Sequence, residues 1–221
     1  MNLLIRFRRR NFLLATLLLG LASPLAAQQK TVAIPLADGF DYPIGKPDGK
    51  GYYVARGLRL REPIHFGEDW NGNGGGDTDM GDPVYATANG VVMFSYDVQV
   101  GWGNIVILRH AYRDPQTGLV RFCDSLYGHL LDRAVKVGQI VKKGQQIGRL
   151  GSNSGMYPAH LHFEIRHNLS TGMQRESVPR TMDNWADPRA FITKYRVLKR
   201  ELKQQSTPIG TFTDYRGCKG L

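Results

Sequence analysis

The sequence predicts a mainly β domain of antiparallel strands, and three observations carry that expectation. Glycine makes up 26 of the 221 residues, well above the ~7% usual in soluble proteins, which favours a turn-rich chain over a helical bundle. Short β-branched runs at 84–86, 91–94, 105–108, 135–141 and 146–150 are split by glycines, the pattern of short strands with tight connections. Leu161, Phe163 and Ile165 alternate with His160, His162, Glu164 and Arg166. Period two of this kind sends one apolar face to a core and both histidines to the other face. No heptad run or long repeat argues for a coiled coil or solenoid, and the apolar and aromatic content (42% and 10%) excludes a disordered chain.

In chain order, residues 1–27 read as a secretory signal. Arg6, Arg8, Arg9 and Arg10 form a basic start, 12–22 an apolar run, and Pro24-Leu25-Ala26-Ala27 a cleavage region, giving a periplasmic or secreted protein that begins after Ala27. Arg9-Arg10 also fits a twin-arginine signal, though the Leu-rich run favours the general secretory route. The run is shorter than the ~20 residues of a membrane span, so no transmembrane segment is expected in the mature chain. Residues 28–59, rich in Gly, Pro and Tyr, read as a segment wrapping around the body. Glycines 138 and 144 bracket a hairpin-like stretch at 137–147, and residues 190–205 read as a peripheral terminal helix. Residues 193–221 form a basic tail.

The formal charge of +10 is concentrated at the two ends, while 28–188 balances 17 basic against 17 acidic residues. A nucleic-acid binder is expected to carry a basic face on its folded body, so no nucleic-acid partner is expected. Cys123 and Cys218 either form one bridge pinning the tail to the body or remain thiols. Neither their spacing nor their number suits a cysteine-based site.

The chemistry lies in histidine and aspartate. His65-Phe-Gly-Glu-Asp69 sets an imidazole and a carboxylate four apart, His160-Leu-His162 sets two imidazoles on one strand face, and His129 follows Tyr127-Gly128. A catalytic zinc site takes three such ligands and leaves one position open for water. Two histidines from one strand are poorly placed to bind the same ion together, which suggests one on the metal and one beside the activated water. His110 and His167 read as structural.

These motifs occur in order with Gly81-Asp-Pro-Val-Tyr-Ala86, Gly90-Val-Val, Gly101-Trp-Gly-Asn104, Tyr127-Gly-His-Leu130 and His160-Leu-His-Phe-Glu-Ile165. Together they resemble the lysostaphin/LytM-type zinc endopeptidases that cut peptide cross-bridges of bacterial cell walls, over residues 60–192. The resemblance implies a two-layer, barrel-sandwich-like antiparallel domain with a central metal groove and a short C-terminal helix. It implies Zn²⁺ bound by His65, Asp69 and His162, with His129 and His160 as catalytic imidazoles. His160 suits a general base, and His129 suits oxyanion stabilisation or protonation of the leaving amine. Glu164 is either a support for a ligand or a surface acid. The implied substrate is the peptide stem of peptidoglycan, with the export signal favouring D-Ala–diaminopimelate cross-links over glycine bridges.

Two departures stand out. The 69–83 connection is longer than the family's and begins like a calcium loop, Asp69-x-Asn-x-Asn-Gly, with Asp77 and Asp79 as further acids. Its twelfth position is Met80 where such a loop needs Glu. Met156-Tyr-Pro-Ala159 replaces the usual Gly-Pro before the His pair. A non-catalytic LytM-type module that binds or activates another wall hydrolase is the alternative function, although such modules lose ligands that this chain keeps. A biotinyl or lipoyl carrier, suggested by the 137–147 stretch alone, is rejected because it lacks the modification site.

Overall fold

The computed structural model describes residues 30–99 and 101–212. The signal expected at 1–27 and Cys218, whose bridge to Cys123 was one of two alternatives, lie outside them. Among the described residues the order is β1 (Thr31–Pro35), β2 (Tyr52–Arg56), β3 (Glu68–Gly72), β4 (Pro83–Tyr85), β5 (Gly90–Asp97), β6 (Asn104–Arg113) and β7 (Val120–Leu130). There follow β8 (Asp132–Arg133), β9 (Ile140–Val141), β10 (Gln146–Arg149), β11 (Leu161–Arg166), β12 (Trp185–Ala186), α1 (Pro188–Lys194) and β13 (Gln204–Pro208).

The chain is mainly β, as expected, and its strand ladders are antiparallel. One large open sheet runs β2-β3-β11-β7-β6-β5-β9, with β12 beside β11; β4-β10-β8 form a second sheet and β1-β13 a third. The large sheet buries both faces. On one, Val106, Leu108, Tyr127 and Phe163 pack with Val84, Ile147 and Leu150 around the second sheet. On the other, Met93, Ile105, Ile107 and Leu126 pack under Ile34 and Ile209 at the third. Burying apolar area on both sides is the main stabilising term for such a layered domain.

Three local expectations differ from the structure. The 137–147 stretch is no hairpin: β9 pairs with β5, and β10 with β4 and β8. Gly138 and Gly144 take positive φ, but their amides donate to Val92 and Ala86, which draws the two strands into different sheets. The terminal helix stops at Lys194. Asp187 caps its start by accepting from the Ala190 amide, and Pro188 fits the first turn. Beyond Tyr195 the backbone is captured by the N-terminal segment, through Leu198 N–H to Asp38 O and Leu36 N–H to Lys203 O. Part of the expected tail thus becomes β13, paired with β1. Finally, β7, the longest strand, was not among the expected runs, because its sequence mixes polar and apolar residues that are buried on both faces.

His110 is structural, as expected. Its Nδ1–H donates to Asn89 O at 2.9 Å and its Nε2 lies 2.7 Å from Ser125 Oγ. Burial, partly offset by the Asn89 hydrogen bond, lowers its pKa to about 4. The unfolded chain takes up this proton near pH 6.5 and the native state only near 4. The resulting stability is complete above pH 6.5 and lost as pH falls toward 4, about 3 kcal/mol in all. Denaturant unfolding at pH 7.5 and 4.5 should therefore show a smaller acid loss in His110→Asn than in the wild type, whatever its stability at pH 7.5.

Candidate metal centre

The centre is built on the middle of the large sheet. Asp69 of β3 and His162 of β11 are directly opposed across the ladder, and His162 faces Gly128 of β7 on its other side. His65 comes from the turn before β3, held by a two-way backbone pairing with Arg59. Gly67, between the two ligands of that motif, runs so close to β11 that a Cβ would collide with the Phe163 carbonyl.

Three atoms converge. His65 Nε2 lies 2.9 Å from Asp69 Oδ1 and 3.1 Å from His162 Nδ1, and His162 Nδ1 lies 2.9 Å from the same Oδ1. The opposite ring nitrogens are already committed. His65 Nδ1–H donates to Gly57 O at 2.9 Å, and His162 Nε2–H donates to Glu164 Oε1 at 2.9 Å. The two inward nitrogens therefore present lone pairs to each other and to a carboxylate oxygen, an arrangement that only a proton or a metal cation between them stabilises. A tetrahedral zinc site with bonds near 2.05 Å has ligand–ligand edges of about 3.3 Å, a few tenths longer than those here, so the donor set fits zinc in number, type and spacing. Among the described residues this is the group whose ligand atoms meet within 4.8 Å.

The electrostatics follow from the contacts. Burial raises the Asp69 pKa, but the contacts with His162 and His65 outweigh it and hold the carboxyl well below its ordinary range. Burial likewise opposes charge on His162, while Asp69 and Glu164 raise its pKa. Glu164 is fully buried. Arg166 Nε donates to its Oε2 at 2.8 Å and Trp185 Nε1 at 3.3 Å. The choice left open for Glu164 is thereby decided: it is no surface acid but the carboxylate behind His162. The face of β11 opposite its apolar side is covered as well, since His162, Glu164 and Arg166 are all buried there, near the tilted ring pair of Phe66 and Trp185.

His129 and His160 meet at the same place, their ring centroids 4.7 Å apart. His160 Nδ1–H donates to Pro158 O at 2.8 Å, and its Nε2 lies 3.8 Å from Asp69 Oδ1. His129 sits at a β-bulge: Val106 pairs with Tyr127 but Asn104 with Leu130, and His129 itself has φ 60°. The bulge re-aims a side chain that strict alternation would send away. Its Nδ1–H donates to Trp102 O at 3.2 Å, and the Trp102 ring stacks at 5.9 Å. Burial first, then the neighbouring His162 and His160, lower its pKa to about 3. The structure thus brings together all five residues that the sequence analysis singled out.

The sequence analysis missed the supports. Gly101-Trp-Gly-Asn104 was recognised as a motif, but nothing in it announced that the Trp102 carbonyl fixes His129. Asp77 and Asp79 are anchors: Asp77 Oδ1 accepts from Ala159 N at 2.7 Å, just before His160, and Asp79 Oδ2 accepts from Gly72 N at 2.7 Å. The acids singled out for a calcium loop thus each engage a backbone amide through one oxygen. A groove of about 670 Å³ opens over the centre, lined by the five residues together with Trp102, Tyr157 and the arginines 56, 175 and 180.

Comparison with known proteins identifies the family. The model of peptidase family M23 matches residues 65–174. The lipoprotein NlpD of Yersinia enterocolitica is 37% identical over 87 residues, 39% of this chain and 79% of that protein. The peptidoglycan DD-endopeptidase ShyC of Vibrio cholerae is 36% identical over 104 residues, 47% of this chain and 21% of its own. The murein hydrolase activator EnvC of Escherichia coli is 33% identical over 129 residues, 56% of this chain and 27% of its own. The chain thus spans about a quarter of the latter two relatives. It belongs to peptidase family M23. No helix among the described residues is long and apolar enough to cross a membrane.

Replacing the charge behind His162 tests this arrangement. Glu164→Gln should weaken zinc binding by about 10–100-fold, read by competition with a chromophoric chelator, since a neutral acceptor makes Nδ1 a poorer donor to the metal. An unchanged affinity would remove Glu164 from the centre.

Proposed function

We propose that this protein is an exported zinc-dependent endopeptidase that hydrolyses peptide cross-links of bacterial peptidoglycan. The observation that carries the reading is the convergence of His65 Nε2, Asp69 Oδ1 and His162 Nδ1 directly beside two further imidazoles in one groove. His65, Asp69 and His162 would hold the ion, which when bound supplies Lewis acidity toward a carbonyl oxygen and acidifies water.

The remaining work belongs to the chain. With Nδ1–H fixed on the Pro158 carbonyl, neutral His160 presents an unprotonated Nε2 to the groove. It accepts the proton of the attacking water as the oxygen bonds to the peptide carbonyl carbon, and returns a proton to the leaving nitrogen as the C–N bond breaks. His129 is held the same way by Trp102 O. Its neutral form is also an acceptor, so donation to an oxyanion or amine requires a protonation that burial opposes. We therefore assign the proton transfer to His160 and the orientation of the water or substrate N–H to His129.

The second reading, a module that activates another wall hydrolase, is favoured by the name of the EnvC relative. Digestion of cross-linked muropeptides by the purified protein separates the two. The endopeptidase loses activity to a chelator and recovers it with zinc. His129→Ala and His160→Ala each lower the rate by about 10²–10⁴-fold while retaining the metal. Undiminished digestion by both variants would remove the assigned roles. A wild type that is inert alone but accelerates a second hydrolase would establish the activator.

A further inference from the structure

Three arginines line the groove over the centre, and the metal ligands do not explain them. Arg56, Arg175 and Arg180 line it, against the acids Asp69 and Glu176. Asp69 belongs to the ligand set, so a bound divalent ion leaves the groove more positive still.

The three guanidinium groups are held differently. Arg56 projects from the edge strand β2 with its side chain 58% exposed, and its Nη1 lies 3.7 Å from Asp69 Oδ2, beyond hydrogen-bond length. Arg180 faces Glu62 at 3.4 Å, in a pair whose side chains are 46% and 80% exposed. Such a surface pair contributes little and exchanges readily for another carboxylate. Arg175 is fixed over the Trp102 ring at 4.2 Å and the Phe66 ring at 4.9 Å, with Nη1 3.7 Å from Glu164 Oε1. None of the three lies within the segment 65–174 matched by the family model.

We infer that Arg56 and Arg180 select peptides that bring a free carboxylate into the groove beside the scissile bond. Arginine's planar fork matches a carboxylate in a bidentate way that an amide cannot reproduce. Diaminopimelate, with a carboxylate of its own beside the cross-linking amine, has the required chemistry, and its amidated form lacks it. Arg175 supplies fixed positive charge on the same groove. The inference rests on the groove being the peptide site proposed above.

The test uses two stem peptides without a cross-link, identical except for a carboxylate or carboxamide on the diaminopimelate, titrated calorimetrically into the zinc-loaded protein. The wild type should bind the acid about tenfold or more tightly than the amide. Arg56→Gln with Arg180→Gln should bring the two affinities within about twofold, and the paired Lys variants should retain an intermediate preference because they keep charge but lose the fork. Zinc content and circular dichroism of each variant certify the fold. Equal affinities in the wild type, no binding of either peptide, or a preference unchanged in the double Gln variant would overturn the inference. Hydrolysis of a cross-linked peptide is scored separately: its absence sinks the endopeptidase reading while the acid-to-amide ratio still decides the arginine wall.

Discussion

Everything at the centre depends on one cross-strand pair. Asp69 and His162 face each other across β3 and β11, so a carboxylate oxygen and an imidazole nitrogen are forced to 2.9 Å inside a buried sheet. Burial of such groups is costly unless their hydrogen-bonding and charge demands are met. Here the protein meets them at the outer end and leaves the inner end to a cation. Glu164, itself paired with Arg166, takes the outer N–H of His162, and the inner lone pairs of His162, His65 and Asp69 converge on one point. The protein has concentrated unsatisfied electron pairs where a cation belongs, and the surrounding sheet supplies the rigidity that keeps them there.

The two remaining imidazoles are placed by devices that are not regular strand. His129 reaches the groove because β7 carries an extra residue opposite β6 and because its backbone adopts a positive φ. His160 lies just before β11, tied to Gly151 across a short bridge and preceded by a peptide held by Asp77. Both donate Nδ1–H to a carbonyl, which leaves Nε2 as the atom facing the groove. Backbone oxygens of Trp102 and Pro158 thus decide the tautomers of the imidazoles.

The long 69–83 connection acquires a physical role in this setting. Its acids accept hydrogen bonds from two backbone amides, one at Gly72, the last residue of β3, and one at Ala159, just before the His pair. A loop that resembled an ion-binding turn in sequence acts as a brace between the two stretches of chain that supply the centre.

How much was legible before folding varies with the range of the interaction. The strand class and about half of the strands could be read from the sequence, because period-two alternation and glycine punctuation are local signals, and the five candidate residues were named by the resemblance that their ordered motifs carry. The buried support of Glu164, the bulge that turns His129, and the partners of β9 and β10 could not, because each is fixed by a strand distant in sequence. The same holds for the end of α1: residues after Tyr195 keep apolar spacing that suits a helix, with Leu198 buried, yet their amides and carbonyls find better partners on the segment before β2. What the sequence alone determined was which donor side chains the chain carries and in what order. Which atom of each side chain faces the groove was decided by tertiary structure, because that depends on the carbonyl or carboxylate that folding brings to the other side of each ring.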